Sequence, residues 1–393
     1  MSDVIGPPFS ARSKVHEYGG GQFAASDGRV CFVNDEDQDL YLAGAAAPVR
    51  ITKTPDTRFA DLAFDPAHPR LYSVTERHRP SAPPQNAIAA VGLEGESQGR
   101  TEMLLAGRDF YASPRPSPDG SRLAWLAWDL PAMPWEAAEL WVGQIAENGA
   151  IIEAVRIAGG PEGGAFQPEW AEDGALYFAA PNGDWGNLHV WRDGVVQPVA
   201  RLEAEFARPL WSLGMSSYAV LESGRLIAAC WRDGRSEFGI ADEKTGTWTP
   251  LTSGFTRIDD LTAGPEFVAI NGSDDEAPGR VHLIARDASA FQPASQEETP
   301  VLAAGDVSHA RILAFQSGES EAWVLFYPPA SERFAGPNGS LPPLIVSAHG
   351  GPTGMARRGF ALDRQYWTTR GFAFLDVDYR GSSGYGLTFQ RAL

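Results

Sequence analysis

Residues 116–125 read PSPDGSRLAW, and a second apolar run, ELWV, follows at 139–142. A polar turn closed by Asp119-Gly120 leads into one strand, and a further turn leads into the next. The Asp-Gly pair supplies the left-handed backbone that tight hairpins require. Looser copies of the unit lie at 26–33 with 39–42, 63–66 with 70–74, 168–178 with 187–191, 222–228 and 264–270. Their spacing of roughly 40 to 55 residues is the period of four-stranded propeller blades. A single blade cannot cover both of its faces, so blades stack radially and bury them on each other. The copies predict six blades; one long β-sandwich, or two small β domains, is the alternative. From Val15 to Ala288 amphipathic runs of helix length are hard to find, and the chain's 42 glycines and 30 prolines punctuate it throughout.

From about Pro300 the texture changes. Two runs, 310–315 and 322–327, read as an antiparallel strand pair, and a loop rich in Pro, Gly and Ser fills 328–343. Residues 344–386 then read LIVSAHGGPTGMARRGFALDRQYWTTRGFAFLDVDYRGSSGYG. An apolar strand meets a His-Gly-Gly-Pro turn, a segment of helical character stops at Gly371, and a second apolar run starts at Phe372. Strand, tight loop, helix, strand is the order of a parallel α/β sheet. The expected division is a β-propeller over 1–298 and the opening of an α/β domain over 299–393.

Composition narrows the function classes. The chain has 393 residues, enough for two or three domains. Its formal net charge of −18 argues against nucleic acid, which needs a basic stripe, and against anionic membrane surfaces. Cys31 and Cys230 sit in apolar strand-like runs and read as buried free thiols. The first residues lack a basic stretch followed by an apolar one, so no signal peptide is expected, and no run is long enough to span a bilayer. The expectation is a cytoplasmic protein.

Most candidate chemistry dissolves on inspection. The one G-x-S-x-G match, Gly95 to Gly99, lacks the strand-to-helix setting of a nucleophile elbow and reads as a hairpin turn, so Ser97 is not proposed as a nucleophile. Asp35, Asp37 and Asp39 lack the glycine and distal glutamate of a calcium loop. The seven histidines form no H-x-x-x-H or H-E-x-x-H pair, so no metal site is expected. The glycines of 381–386 do not fit a dinucleotide fingerprint, and no cofactor is expected. His349-Gly350-Gly351-Pro352 differs. Two glycines directly after a strand let the backbone turn sharply and present N–H groups to a bound group. An ordinary glycine-rich βα turn is the bland reading.

Several stretches together resemble the prolyl oligopeptidase family of serine peptidases, on its acylaminoacyl-peptidase and dipeptidyl-peptidase-like side. They are Val15-His16-Glu17-Tyr18-Gly19-Gly20-Gly21; 116–120 with Met133-Pro134-Trp135-Glu136 and 139–141; His349 to Pro352; Gln365-Tyr366-Trp367; and 378–386. The resemblance covers essentially the whole chain. It implies a propeller, of six to seven blades, capping an α/β-hydrolase domain, and hydrolysis of short peptides or release of their N-terminal units. In that family a serine attacks, a histidine oriented by an aspartate relays the proton, and backbone N–H groups stabilise the oxyanion. By resemblance Gly351 donates one such N–H, with His349 and Gly350 shaping the loop, and Glu17, Trp135 and Glu136 are candidates for the peptide-facing surface. A short peptide is the implied partner, and a homo-oligomer is compatible with the sequence. The family's triad lies beyond the Tyr-Arg-Gly-Ser loop, so this chain reads as an incomplete hydrolase domain, catalytically inactive alone. Its last strands are expected to leave apolar faces open, with aggregation or disorder after about residue 300. A non-catalytic propeller that binds peptides or a partner protein is the alternative.

Overall fold

In the computed structural model, residues 3–44, 47–287, 291–294, 302–318 and 320–393 are described. The expected boundary near residue 298 lies outside them. Among the described residues six four-stranded antiparallel sheets follow one another in chain order, spanning 23–50, 57–106, 110–159, 166–198, 218–250 and 257–293. We number them blades 1 to 6. In five of them the strands pair in strict sequence order from first to fourth, and blade 3 reads the same in reverse. Asp193-Gly194 and Asp233-Gly234 close hairpins with both residues in the left-handed region, as the sequence predicts. The Gly95–Ser97 turn is a short 3-10 turn followed by the strand Thr101–Ala106, which bears out the hairpin reading of that G-x-S-x-G match.

The chain forms two compact units. The first takes in residues up to Pro181 with Leu188–Pro198 and Leu210–Met215, and so holds blades 1 to 3 and most of blade 4. Its blades meet through their first strands, Phe23–Ser26, Thr57–Phe64, Phe110–Pro116 and Phe166–Trp170. Blades 1 and 2 enclose Cys31, Val33, Leu40, Phe59, Leu71 and Val91. Burial there pushes the Cys31 thiol up to about 12, so it packs as a small apolar group.

The first strands of blades 2, 3 and 4 are each interrupted by a bulge. Asp61, Ser113 and Gln167 take φ of 50°, 52° and 49°, and the pairing register slips beside each. A bulge re-aims side chains, and here it builds a polar link between blades. The buried Asp61 carboxylate accepts the Ser113 N–H and the Arg115 guanidinium, both at 2.8 Å. The Trp170 indole N–H donates to the Arg115 carbonyl at 2.9 Å.

Val15 to Gly21 threads across these strands in an almost continuously left-handed path, with His16, Glu17, Gly19, Gly20 and Gly21 at positive φ. Gly19 donates to Val15 O and accepts from the Leu213 N–H, and Gly20 and Leu213 form a parallel bridge. A Cβ on Gly20 would lie 2.1 Å from the Leu213 carbonyl oxygen, so only glycine fits.

The second unit, Asn182–Asn187, Val199–Pro209 and Ser216–Leu393, contains blades 5 and 6 and a seventh sheet of another kind. Blades 5 and 6 pack Leu221, Ile227, Ala229, Trp231, Val268 and Ile284 together. The seventh sheet is mixed, in the order Arg311–Ser317, Ser320–Tyr327, Ala373–Asp378, Leu344–Ala348. Its first two strands are the expected antiparallel pair. The last two run parallel, Leu344 opposite Ala373 and Ala348 opposite Val377. The helix Leu362–Thr368 connects them and ends before Gly371, so the strand-loop-helix-strand order is observed. No helix among the described residues is long and apolar enough to cross a membrane.

Among the described residues Leu344–Ala348 pairs on one side only, with Ala373–Asp378. Leu344 is 51% exposed and Val346 62% exposed, whereas Ala373–Asp378, between two partners, is largely buried. These apolar side chains lie exposed within a formed sheet. Hydrogen exchange measures the consequence. The unpaired amides of 344–348 are expected to exchange at least about 100-fold faster than those of 373–378; equal protection in the two strands would contradict this.

Candidate functional site

The His-Gly-Gly-Pro loop leaves the end of strand Leu344–Ala348, and the loop 379–386 leaves the end of its parallel neighbour. Side chains from the second loop grip the first. The His349 ring stacks on Tyr379 at 4.5 Å, and the Tyr379 hydroxyl sits 3.0 Å from the His349 carbonyl oxygen and 3.1 Å from that of Pro352. Burial raises the Tyr379 phenol above its ordinary value, so it stays protonated and donates. Ser383 donates to the Gly354 carbonyl from its N–H at 2.7 Å and its hydroxyl at 3.1 Å.

His349 Nδ1 lies 2.8 Å from the Gly350 carbonyl oxygen and Nε2 lies 2.7 Å from Ser382 Oγ. A carbonyl only accepts, so Nδ1 carries the proton and Nε2 accepts from the serine. Asp378 lies 3.7 Å from the same Nε2. Serine, histidine and aspartate thus come together, yet not as a catalytic triad. In a triad the two partners engage opposite ring nitrogens and the serine is open to substrate. Here both approach Nε2, a backbone carbonyl occupies Nδ1, and Ser382 is fully buried. The cluster orients a loop.

Asp378 is the centre of that clamp. One carboxylate oxygen accepts the Ala356 N–H and the other the Tyr385 hydroxyl, both at 2.6 Å. Burial pushes its carboxyl up to about 7, against the opposing pull of those hydrogen bonds. Tyr385 in turn stacks on Trp323 at 4.5 Å.

Within the same unit, contacts to the blades fix both loops. Arg357 pairs with Asp259 at 2.6 Å, Arg358 pairs with Asp275, and the Phe360 N–H donates to Asp274 O. Thr388 hydrogen-bonds Asp184 through its N–H and its hydroxyl, both at 2.7 Å.

What this framework holds up is Gly350-Gly351. Both residues are exposed, and among the described residues the N–H of neither donates to a protein acceptor. Gly351 adopts a φ of 147°, where a Cβ would lie 2.6 Å from the Thr353 nitrogen. The loop can therefore offer backbone donors to an anionic oxygen. Among the described residues no group of three His, Cys, Asp or Glu side chains is arranged to hold a metal.

Glu17, Trp135 and Glu136 lie in the first unit. Glu17, in the left-handed stretch, pairs with Arg58 at 2.7 Å. Trp135 lies on the single-turn helix Pro134–Ala137 and packs on Trp211 at 4.5 Å, which meets Tyr18 at 5.6 Å. Tyr18 and Trp211 thereby join Glu17 and Trp135 into one surface. The Glu136 carboxylate turns back to cap the Met133 N–H at 2.7 Å. Sequence reasoning passed over Tyr18 and Trp211, and over Tyr379, Ser382 and Asp378 as individual side chains. The last three were visible only as a string, since spacing does not say which side chain turns inward.

No protein-family model and no curated protein matches the sequence. Solved structures do. A puromycin-hydrolysing peptidase from Mycobacterium tuberculosis superposes over 99% of the chain with a TM-score of 0.92 and 30% identity. A puromycin hydrolase does so over 98%, with a TM-score of 0.91 and 30% identity. The chain spans 62% of the length of each. Prolyl oligopeptidase B from Galerina marginata, at 13% identity and a TM-score of 0.71, shares the fold. Over nearly its whole length the chain therefore has the fold of puromycin-hydrolysing peptidases, to which it is 30% identical, and of a prolyl oligopeptidase.

Proposed function

We propose that this chain supplies the propeller and the oxyanion-binding loop of a serine peptidase that hydrolyses short peptides or releases their N-terminal units. The observation that carries the reading is the exposed Gly351 N–H, uncommitted to any described acceptor, on a loop held by Tyr379, His349 and Ser382. A donor fixed before the reaction stabilises the negative oxygen of a tetrahedral intermediate without reorganising, an effect worth about 3 kcal/mol per donor in acyl transfer. In this reading the propeller limits access to short or unfolded peptides, and Glu17, Trp135 and Glu136 face them.

The attacking oxygen is a separate requirement. Ser382 is buried, and its histidine is committed to a carbonyl, so this pair supplies no attacking oxygen. The 393-residue chain alone is therefore inactive in this reading. Treatment with a fluorophosphonate probe is expected to label no serine; stoichiometric labelling would overturn that assignment. The genomic reading frame past Leu393 separates this proposal from a peptide-binding propeller without chemistry. A continuation encoding G-x-S-x-G-G supports the peptidase, and a stop codon in several independent isolates supports the binding module.

A further inference from the structure

The sequence holds four Asn-Gly pairs, at 148–149, 182–183, 271–272 and 338–339. An asparagine followed by glycine is chemically fragile. The glycine nitrogen can attack the side-chain amide carbon with no Cβ of its own in the way. That attack requires the backbone at the pair to swing out of its folded geometry, and what holds the pair in place decides how often this happens.

Three of the pairs are held. The Gly149 N–H donates to the Ala146 carbonyl at 2.8 Å, and Asn148 Oδ1 accepts the Ala150 N–H at 3.1 Å. Asn182 ends the strand Leu176–Asn182. The turn after it is pinned at Asp184, whose carbonyl accepts the Leu387 N–H and whose carboxylate accepts from Thr388, each at 2.7 Å. Asn271 and Gly272 lie in the strand Phe267–Ser273, which is paired on both sides, with Gly272 opposite Ile258 and Arg280. A Cβ on Gly272 would lie 3.0 Å from the Phe255 ring.

The fourth pair is open. Every residue from 332 to 344 is exposed. Pro337 to Ser340 form a turn closed by the Ser340 N–H on the Pro337 carbonyl at 3.1 Å, with Gly339 at a φ of 79°. Among the described residues neither the Gly339 N–H nor the Asn338 side chain has a hydrogen-bond partner. A Cβ placed on Gly339 meets nothing within 4 Å.

We infer that Asn338 is a site of spontaneous deamidation and backbone isomerisation, and that it converts ahead of the other three Asn-Gly pairs. The Gly339 nitrogen bonds to Asn338 Cγ. The side-chain nitrogen leaves as ammonia, carrying away the proton of the Gly339 N–H. Water then opens the cyclic imide. Addition at Cγ gives aspartate, and addition at the main-chain carbonyl gives isoaspartate, whose backbone is longer by one methylene. No oxidant, cofactor or enzyme enters. Either product adds a negative charge to a chain already at −18, in the loop that leads into the strand Leu344–Ala348. The conversion is independent of whether the chain is a peptidase.

The test is to hold the intact protein in oxygen-18 water at mildly alkaline pH and physiological temperature, and to map its peptides by mass spectrometry over time. Electron-transfer fragmentation separates isoaspartate from aspartate. Position 338 is expected to take up label at least about tenfold faster than 148, 182 or 271, the factor that one further hydrogen bond to break supplies. In urea the four rates should converge, because the restraints that separate them are gone. Gly339→Ala, with open space around it, should slow conversion at 338 at least about tenfold and leave the other three unchanged. An equal or faster rate at any other pair in the folded protein would overturn the assignment. So would an Asn338 that keeps its amide while the urea-unfolded chain converts.

Discussion

Asp378→Ala is expected to destabilise the second unit by about 3 to 5 kcal/mol, the range for removing one member of a buried hydrogen-bonded network. Asp378 is fully buried and accepts from both the Ala356 N–H and the Tyr385 hydroxyl. Alanine leaves both donors without a partner and opens a void between the loops that carry Gly351 and Tyr379. Asp378→Asn retains the volume and one acceptor, and should cost about 1 to 2 kcal/mol. Urea unfolding followed by near-ultraviolet circular dichroism measures both; a loss below about 0.5 kcal/mol for alanine would refute the clamp. The carboxyl also gives this region a pH dependence of known sign. Its folded value of about 7 lies above the ordinary 3.8, so the folded protein holds the proton more tightly than the unfolded chain. The resulting stabilisation is complete below the unfolded value and is lost as pH rises through about 7. The wild-type protein should therefore lose stability between those limits relative to Asp378→Asn. A parallel pair of pH profiles would contradict it.

Asp61→Ala should cost the first unit about 2 to 3 kcal/mol. Asp61 is 1% exposed and joins blade 2 to blade 3 through the Ser113 N–H and Arg115. Removing it strands a buried N–H in a bulge that has no other partner for it. Arg115 softens the loss, because its side chain is 30% exposed and regains part of its hydration. Asp61→Asn keeps the acceptor for Ser113 and loses only the ionic part, about 1 kcal/mol. The order Ala worse than Asn, read from urea midpoints, is the diagnostic; the reverse order, or no effect, would show that the bulge is held by packing alone.

The blades were legible because their signals are local. Asp-Gly turns and short apolar runs recur at a blade's period, and each copy specifies its own hairpin. The parallel pair at 344–348 and 373–378 was legible for a similar reason: strand, glycine turn, helix and strand are contiguous. Other features depend on contacts that sequence spacing does not encode. The bulges at Asp61, Ser113 and Gln167 insert one residue into a strand pattern without altering its composition, so the Asp61–Arg115 link is invisible beforehand. Trp211 lies in a segment with no blade signature, and its meeting with Tyr18 and Trp135 joins distant stretches. Glu136 was read for its charge, yet the carboxylate also does a helix-capping task that any acceptor there could do. The candidate oxyanion loop was visible as His-Gly-Gly-Pro, whereas the residues that hold it were visible only as a string.

The steric lock at Gly20 has a consequence for how such chains diverge. Its requirement for glycine comes from the Leu213 carbonyl 2.1 Å from where a side chain would begin, and owes nothing to catalysis. A chain of this build would be held to that glycine by geometry, whatever chemistry it performs. The Tyr-Gly-Gly-Gly signature is therefore a marker of architecture.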